Sequence, residues 1–385
     1  MTAQIKIKPH LKAHRLSVDE VLLLGEGEQY VLRGAVYAAL MPLIEGGHDA
    51  DAMAERLAGQ FPPELVHYAL LQLEAKGYAQ ASGVGEGALP PTSASEAVWW
   101  SARGLDPSEV AARIAGAKLA GINAGVPAEA FNAMCAELEW RYRVGDEACA
   151  EALAVIACQD YLDPRLRGAV EAALAKGARV MPVRIGGAQI WLGPLLEAGD
   201  DGGGNATFNL LLRRLKNIRQ AESTILAEGR AFPLTPEQSI RESLGLSAAA
   251  IASAVVATIA GHPPQGIRQG VVTLDAWTLE SKAHKLLAAS NGELPSVPEI
   301  GQEMAPVVLQ PRPKRFASDG GIRSATPEET FARLEPLVSD ITGLIPDLRK
   351  CDAPDGMYVF GASQLFASAA RSGDHRDNRV LGHSV

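Results

Sequence analysis

At 385 residues the chain is too long for one ordinary domain and suits two or three, and its 47% hydrophobic content is ample for buried cores. A formal net charge of −9 excludes a general electrostatic attraction to nucleic acid. Four cysteines, Cys135, Cys149, Cys158 and Cys351, lie far apart and form no CxxC, which argues for reduced thiols in a cytoplasmic protein and against a disulfide framework.

The N-terminus carries Lys6, Lys8 and Lys12 and has no apolar core of a signal peptide. Residues 1–80 read as a compact α+β module. Residues 11–24 can form two strands with a turn at 17–20, and residues 29–32 a third strand after the Gly25-Glu26-Gly27-Glu28 turn. Three helical patterns follow. The first, 35–44, stops at Gly46-Gly47. The second is capped by Asp49 or Asp51. The third starts at Pro62-Pro63-Glu64 and ends at Gly77, with Leu65, Val66, Ala69, Leu70 and Leu73 at helical spacing. This order resembles a winged helix. Residues 81–95 are rich in Gly, Pro, Ser and Ala and read as a linker.

From Glu96 helices and strands alternate. Asp106-Pro107-Ser108-Glu109 is a helix start with Glu109 reaching back. Strands are expected over 118–124, 153–157 and 179–184, with helices over 127–138 and from Asp163-Pro164 to Gly177. The βαβ rhythm predicts a largely parallel, doubly wound sheet, so the fold class is α/β. Gly186-Gly187 then turns between two short strands that end at Gly193-Pro194. A helix from Thr207 follows, with a basic face at Arg213, Arg214, Lys216 and Arg219. Thr235-Pro236-Glu237-Gln238 predicts a capping box for a further helix. Residues 244–261 are an uncharged run of borderline membrane length; without aromatic or basic flanks they read as a buried helix, and no membrane is expected. Strands are expected over 270–274 and 278–287, a polar second linker over 303–323, and a capping box at Thr326-Pro327-Glu328-Glu329.

The Gly-Pro pair, the Gly-rich residues 200–204 and the basic helix resemble the ubiquitin-activator-like half of azole-forming cyclodehydratases of thiazole/oxazole-modified peptide pathways. Residues 328–345 and the strand expected at 357–361 resemble the opening of a YcaO domain, the catalytic part of those enzymes. The resemblance implies a winged-helix leader-recognition module over 1–80, a Rossmann-like scaffold domain over 96–302, and a YcaO start over 324–385. The Gly-Lys-Gly motif and the acidic helices that bind ATP and magnesium would come after such a segment and are absent from this chain. No cofactor is therefore expected here, and ATP and magnesium belong to the missing YcaO part.

The resemblance implies three partners: the leader of a ribosomally made precursor peptide, a YcaO domain in cis or in trans, and, left open, a second copy of the chain. In the family the leader adds a strand to the third strand and drops side chains into a groove against the third helix, which is β-augmentation. The matching positions are Gln29, Tyr30, Val31 and Leu32 on the strand, with Val66, Ala69, Leu70 and Leu73 on the helix. The same helical stripe is also the pattern of a core face. DNA binding is the alternative for a winged helix, but the third helix, with Glu64 and Glu74 against His67 and Lys76, is not basic.

The family's zinc is held by two CxxC motifs, and the matching positions here are Thr207, Leu210, Val297 and Ile300, all without sulfur. No metal is expected, and a lone His284 cannot hold one. No catalytic residue is expected in the chain alone. An adenylating or sulfur-transfer enzyme of the ubiquitin-activator fold is the other reading; it needs a Gly-rich phosphate turn, and residues 121–125 are only a distant approach to one.

Overall fold

The computed structural model describes residues 4–82, 93–198, 203–236, 238–287, 315–316, 322–323, 325–351, 357–362 and 379–383. The chain divides into two compact units, residues 1–116 and 117–385.

In the first unit, β1 (Gln4–Ile7) pairs antiparallel with β5 (Ala79–Ser82), and β2 (Lys12–Arg15), β3 (Glu20–Leu24) and β4 (Gln29–Arg33) form a separate antiparallel sheet in that order. The helices are α1 (Ala35–Glu45), α2 (Ala50–Leu57) and α3 (Pro63–Ala75). Asp49 caps α2 by accepting from the Ala52 amide at 2.8 Å, and Pro63 opens α3 where an amide donor has no helical partner. Val21, Leu23 and Leu32 of the sheet meet Leu40, Met53, Val66, Leu70 and Leu73 of the helices in one core. The β1–β5 pair was not foreseen from the sequence. Two further helices, α4 (Ala94–Ser101) and α5 (Pro107–Ala115), belong to this unit, whereas the sequence pattern places them with the middle domain. His10 Nδ1 and Ser101 Oγ, 2.8 Å apart, tie α4 to the β1–β2 connection. Asp106 caps α5 as expected; Glu109 does not reach back but pairs with Arg113 one turn on.

The second unit holds β6 (Leu119–Asn123), α6 (Ala128–Glu139), β7 (Val144–Gly145), β8 (Leu153–Cys158), α7 (Pro164–Ala175), β9 (Arg179–Arg184) and β10 (Gln189–Leu192). These lead to α8 (Gly203–Ile218), α9 (Gln220–Ala227), α10 (Arg241–Ile259), α11 (Gln265–Gln269), β11 (Gly270–Asp275) and β12 (Ser281–Lys285). The sheet order is β12-β11-β10-β9-β8-β6-β7. It is parallel from β7 to β9, and β9, β10, β11 and β12 pair antiparallel. The expected largely parallel sheet is thus a mixed one. β8 is buried along its whole length, as a central parallel strand requires.

The apolar run foreseen as a buried helix is α10, whose Leu244, Ala248, Ile251, Val255 and Ile259 are buried. Half of its most apolar window is buried, and it is the one described helix long and apolar enough to cross a membrane. It starts at Arg241, not at the expected box. The residues from Thr235 to Ile240 other than Glu237, which lies outside the described residues, are not helical, and Ser243 Oγ accepts from the Ile240 amide at 3.0 Å. Likewise α8 already includes Gly203 and Gly204, so they begin the helix instead of preceding it.

Two short strands, β13 (Arg315–Phe316) and β14 (Ile322–Arg323), pair with each other. Then come α12 (Pro327–Leu334) and an antiparallel sheet of β15 (Leu348–Cys351), β16 (Met357–Ala362) and β17 (Arg379–His383). The capping box before α12 is present: the Glu329 amide donates to Thr326 Oγ1 at 3.1 Å, and the Thr326 amide to Glu329 Oε2 at 3.0 Å.

Candidate functional site

In the first unit, β4 pairs only with β3 among the described residues, so its other side is a free edge. The ladder's alternation says which groups face that edge. The Gly34 amide donates to Asp19 O at 2.6 Å beyond one end of the pair, and the Gly25 amide to Glu28 O at 2.8 Å beyond the other. Counting inward from both, Val21 with Leu32 and Leu23 with Tyr30 are the pairs that exchange hydrogen bonds, and Leu22 with Val31 is a pair that does not. The backbone N–H and C=O of Gln29, Val31 and Arg33 therefore point to the free edge. An incoming peptide strand finds its donors and acceptors there.

The side chains divide by the same alternation. Val31 is 50% exposed, Gln29 is exposed, and Leu32 is buried in the core. Tyr30 lies half-buried with its ring on Tyr78 at 4.5 Å, and its hydroxyl donates to Glu28 Oε2. That hydrogen bond, then burial, raises the Tyr30 phenol above its ordinary value.

The helix residues expected in a groove are placed otherwise. Val66, Ala69, Leu70 and Leu73 are fully buried among α1, α2 and the sheet, with no surface left for a ligand. The apolar face that α3 exposes is one step round: Leu65 at 41%, Tyr68 at 58% and Leu71 at 61%. Their spacing of three residues sets them on one side of the helix. Tyr37 connects this face to the end of β4, since its ring lies against Gly34 and it senses the Tyr68 phenol. Burial first, then Tyr68, raises the Tyr37 phenol. No lysine or arginine occurs within α3.

In the second unit the carboxyl ends of β6, β8 and β9 are where an open α/β sheet binds ligands. A cleft of about 280 Å³ lies there, lined by Asp160, Arg184, Gly186, Gly187, Thr235 and Asp275 among others. Its carboxylates are already engaged. Asp160 takes Arg219 Nη1 on both oxygens at 2.8 Å and also accepts from the Leu162 amide. Asp275 accepts from the Trp277 and Thr278 amides at 2.9 Å, and these bonds hold its carboxyl below the usual range. At the turn after β6, Asn123 Oδ1 accepts from the Gly125 and Val126 amides, both at 2.8 Å. The Arg165 guanidinium lies over Gly125, where an added Cβ would sit 2.2 Å from it. The amides that would cradle a phosphate at such a turn are therefore bonded internally and covered.

Thr207 and Leu210 lie half-buried on α8, and Val297 and Ile300 lie outside the described residues. A threonine hydroxyl and an isobutyl group do not make a zinc donor set, and no group of three or more His, Cys, Asp or Glu that could hold a metal occurs among the described residues. The basic face expected on α8 is also divided. Arg214 is 7% exposed, and burial, then Arg213, lowers its guanidinium value; Arg219 is consumed by Asp160 and Glu222. Arg213 and Lys216 remain exposed beside Arg167. Sequence reasoning grouped Leu65 with the buried stripe and passed over Tyr68 and Leu71; the apolar i, i+3 spacing of the three is the signal that could have set this exposed face apart.

Residues 6–81 match the Winged Helix-turn-helix domain family. No curated protein matches the chain. Among solved structures, the chain is similar to a heterocyclase in complex with substrate and cofactor, with 25% identity and a TM-score of 0.72, over 94% of this chain and 48% of that one. It is also similar to the heterocyclase TruD, with 26% identity and a TM-score of 0.68, over 89% of this chain and 49% of that one. The chain thus spans about half the length of the heterocyclases it matches. Its architecture, a winged helix followed by a mixed α/β sheet, is the fold of those heterocyclases over nearly all of this sequence.

Proposed function

We propose that the chain binds the leader of a ribosomally made precursor peptide on the free edge of β4 and presents the peptide to a YcaO cyclodehydratase, in cis or in trans, that forms azoline rings with ATP. The observation that carries this reading is the outward-facing backbone of Gln29, Val31 and Arg33, with the exposed apolar residues of α3 related to the end of that strand through Tyr37, which lies against Gly34 and interacts with Tyr68. Main-chain hydrogen bonds give such a site affinity, and Val31, Tyr68, Leu71 and Leu65 give it a surface for apolar leader side chains. The likeness to a heterocyclase in complex with its substrate supports the same reading. Titrating the chain with the leader encoded near its gene tests it.

The second unit is a scaffold in this reading, with no catalytic step of its own. The internally bonded turn at Asn123 and the neutralised Asp160 count against an adenylating enzyme, which needs free amides for phosphate and a free carboxylate for its metal. A DNA-binding regulator is favoured by the winged-helix match over 6–81. An α3 that exposes Leu65, Tyr68 and Leu71 and carries no lysine or arginine counts against it, since phosphate contacts dominate DNA affinity.

A further inference from the structure

His284 sits on β12, at the edge of the seven-stranded sheet, and is 2% exposed. Its Nε2 is 2.9 Å from Thr273 Oγ1 on β11, and its Nδ1 is 2.8 Å from Ser339 Oγ, a residue 55 positions further on. Ser339 belongs to a closed loop, residues 338–345. The Ser339 amide donates to Ile345 O at 3.0 Å, the Gly343 amide to Ser339 O at 3.1 Å, and Val338 bridges Ile345. The loop is seated by Thr342 Oγ1, which donates to Lys285 O at 2.8 Å, and by Ile341, which is buried in the core of the unit. Gly343 permits the fold, because a Cβ there would meet the Ser339 amide at 2.4 Å.

The hydrogen-bond inventory fixes the tautomer. Ser339 Oγ accepts from the Ile341 and Thr342 amides, both at 3.1 Å, so its lone pairs are filled, and of the two acceptors open to its O–H, His284 Nδ1 at 2.8 Å is nearer than Thr342 Oγ1 at 3.3 Å. It therefore donates its O–H to His284, and Nδ1 is the acceptor. Nε2 carries the proton and donates to Thr273 Oγ1. A second proton on the ring would turn Nδ1 into a donor facing an oxygen with no free lone pair. Asp340 Oδ1, on an exposed side chain, is 3.6 Å from Nδ1, beyond hydrogen-bond distance.

We propose that His284 is a proton-operated latch: the neutral ring holds the 338–345 loop on the sheet edge, and protonation releases it. The charged groups acting on the ring are Asp340, from the loop, which favours the charged form, and Lys282, from its own strand, which opposes it. On α11, which packs against the same hairpin, the charged residue is Arg268, which is exposed. Burial, the largest influence, lowers the His284 value below that of an ordinary histidine. The seated loop thus binds fewer protons than the released loop. The latch is closed at neutral pH and above, and it weakens as pH falls from about 6.5 toward the lowered value.

Hydrogen exchange of the whole chain between pH 5 and 8, corrected for intrinsic rates, tests this. Protection of residues 338–345 should fall with acidification by up to about tenfold per pH unit, the limit for one proton, while β8 keeps its protection. Asp340→Asn should move the midpoint to lower pH and Lys282→Gln to higher pH; both are surface changes that spare the core, and because both remove the same Lys282–Asp340 ion pair at 3.6 Å, the opposite directions of the two shifts report on the ring and not on that pair. His284→Gln should remove the pH dependence. Protection of 338–345 that follows β8 at every pH, or one midpoint shared by the wild type, Asp340→Asn and Lys282→Gln, would overturn the latch. The outcome is independent of whether the first unit binds a leader.

Discussion

Arg219 Nη1 donates to both carboxylate oxygens of Asp160, each at 2.8 Å, across 59 residues of sequence. The pair joins the start of α9 to the end of β8, and Arg219 also reaches Glu222. Both side chains are mostly buried, so removing one partner leaves a poorly solvated charge. Arg219→Met should destabilise the second unit by about 2–3 kcal/mol, toward the low end for buried pairs because some solvent reaches this one. Asp160→Asn should cost less, because Arg219 keeps Glu222. Urea unfolding of both variants measures the difference.

Glu222 gives the same cluster a pH dependence. Burial raises its carboxyl, but its own backbone amide and Arg219 outweigh this and hold the value below the ordinary one. A depressed folded value means that the contribution is present above the ordinary carboxylate range and is lost as pH falls through the depressed value. Glu222→Gln should flatten the acid limb of the stability profile, read as melting temperature against pH.

Tyr161 is a second test of the scaffold. Its buried hydroxyl lies 2.8 Å from Pro182 O and 2.6 Å from Gly193 O, and its ring meets Trp191 edge-on at 5.2 Å. Tyr161→Phe removes the donor from two buried carbonyls with almost no change of volume. The expected cost is about 1–3 kcal/mol, measured by thermal or urea unfolding.

The chain alone should show no ATP turnover and hold no stoichiometric zinc. The first follows from the Asn123 turn, whose amides are already bonded, and the second from Thr207 and Leu210, which offer no thiolate. Turnover that vanishes in a variant of this same chain, or about one zinc per chain by elemental analysis, would contradict these expectations.

What was legible in the sequence was local. Asp49, Asp106, Asp163 and Thr326 cap helices where their types and spacings say they should. The direction of β10 to β12 was not legible, because a strand's own pattern does not name its neighbour. The helix start at Arg241 was missed because the Thr235 box is a local signal that the tertiary structure overrides. On α3 two apolar sets run in parallel, Val66, Ala69, Leu70 and Leu73 beside Leu65, Tyr68 and Leu71. Periodicity gives both, and only packing against α1 and α2 assigns the first to the core. The His284–Ser339 contact spans 55 residues and has no sequence signature.

Under the proposed function a leader peptide docks as a strand on β4. Val31 faces the free edge with its N–H and makes no ladder bond to Leu22, so proline there removes a donor from the incoming strand and none from the sheet. The decisive measurement is a calorimetric titration of the whole chain, wild type and Val31→Pro, with the leader of the precursor encoded nearby, each protein shown to be folded by circular dichroism. The wild type should bind saturably, and Val31→Pro should lose roughly ten- to a hundredfold in affinity, about 1–3 kcal/mol for a broken hydrogen bond and its disturbed neighbours. No binding by the wild type, or equal affinity in the folded Val31→Pro protein, would contradict this docking.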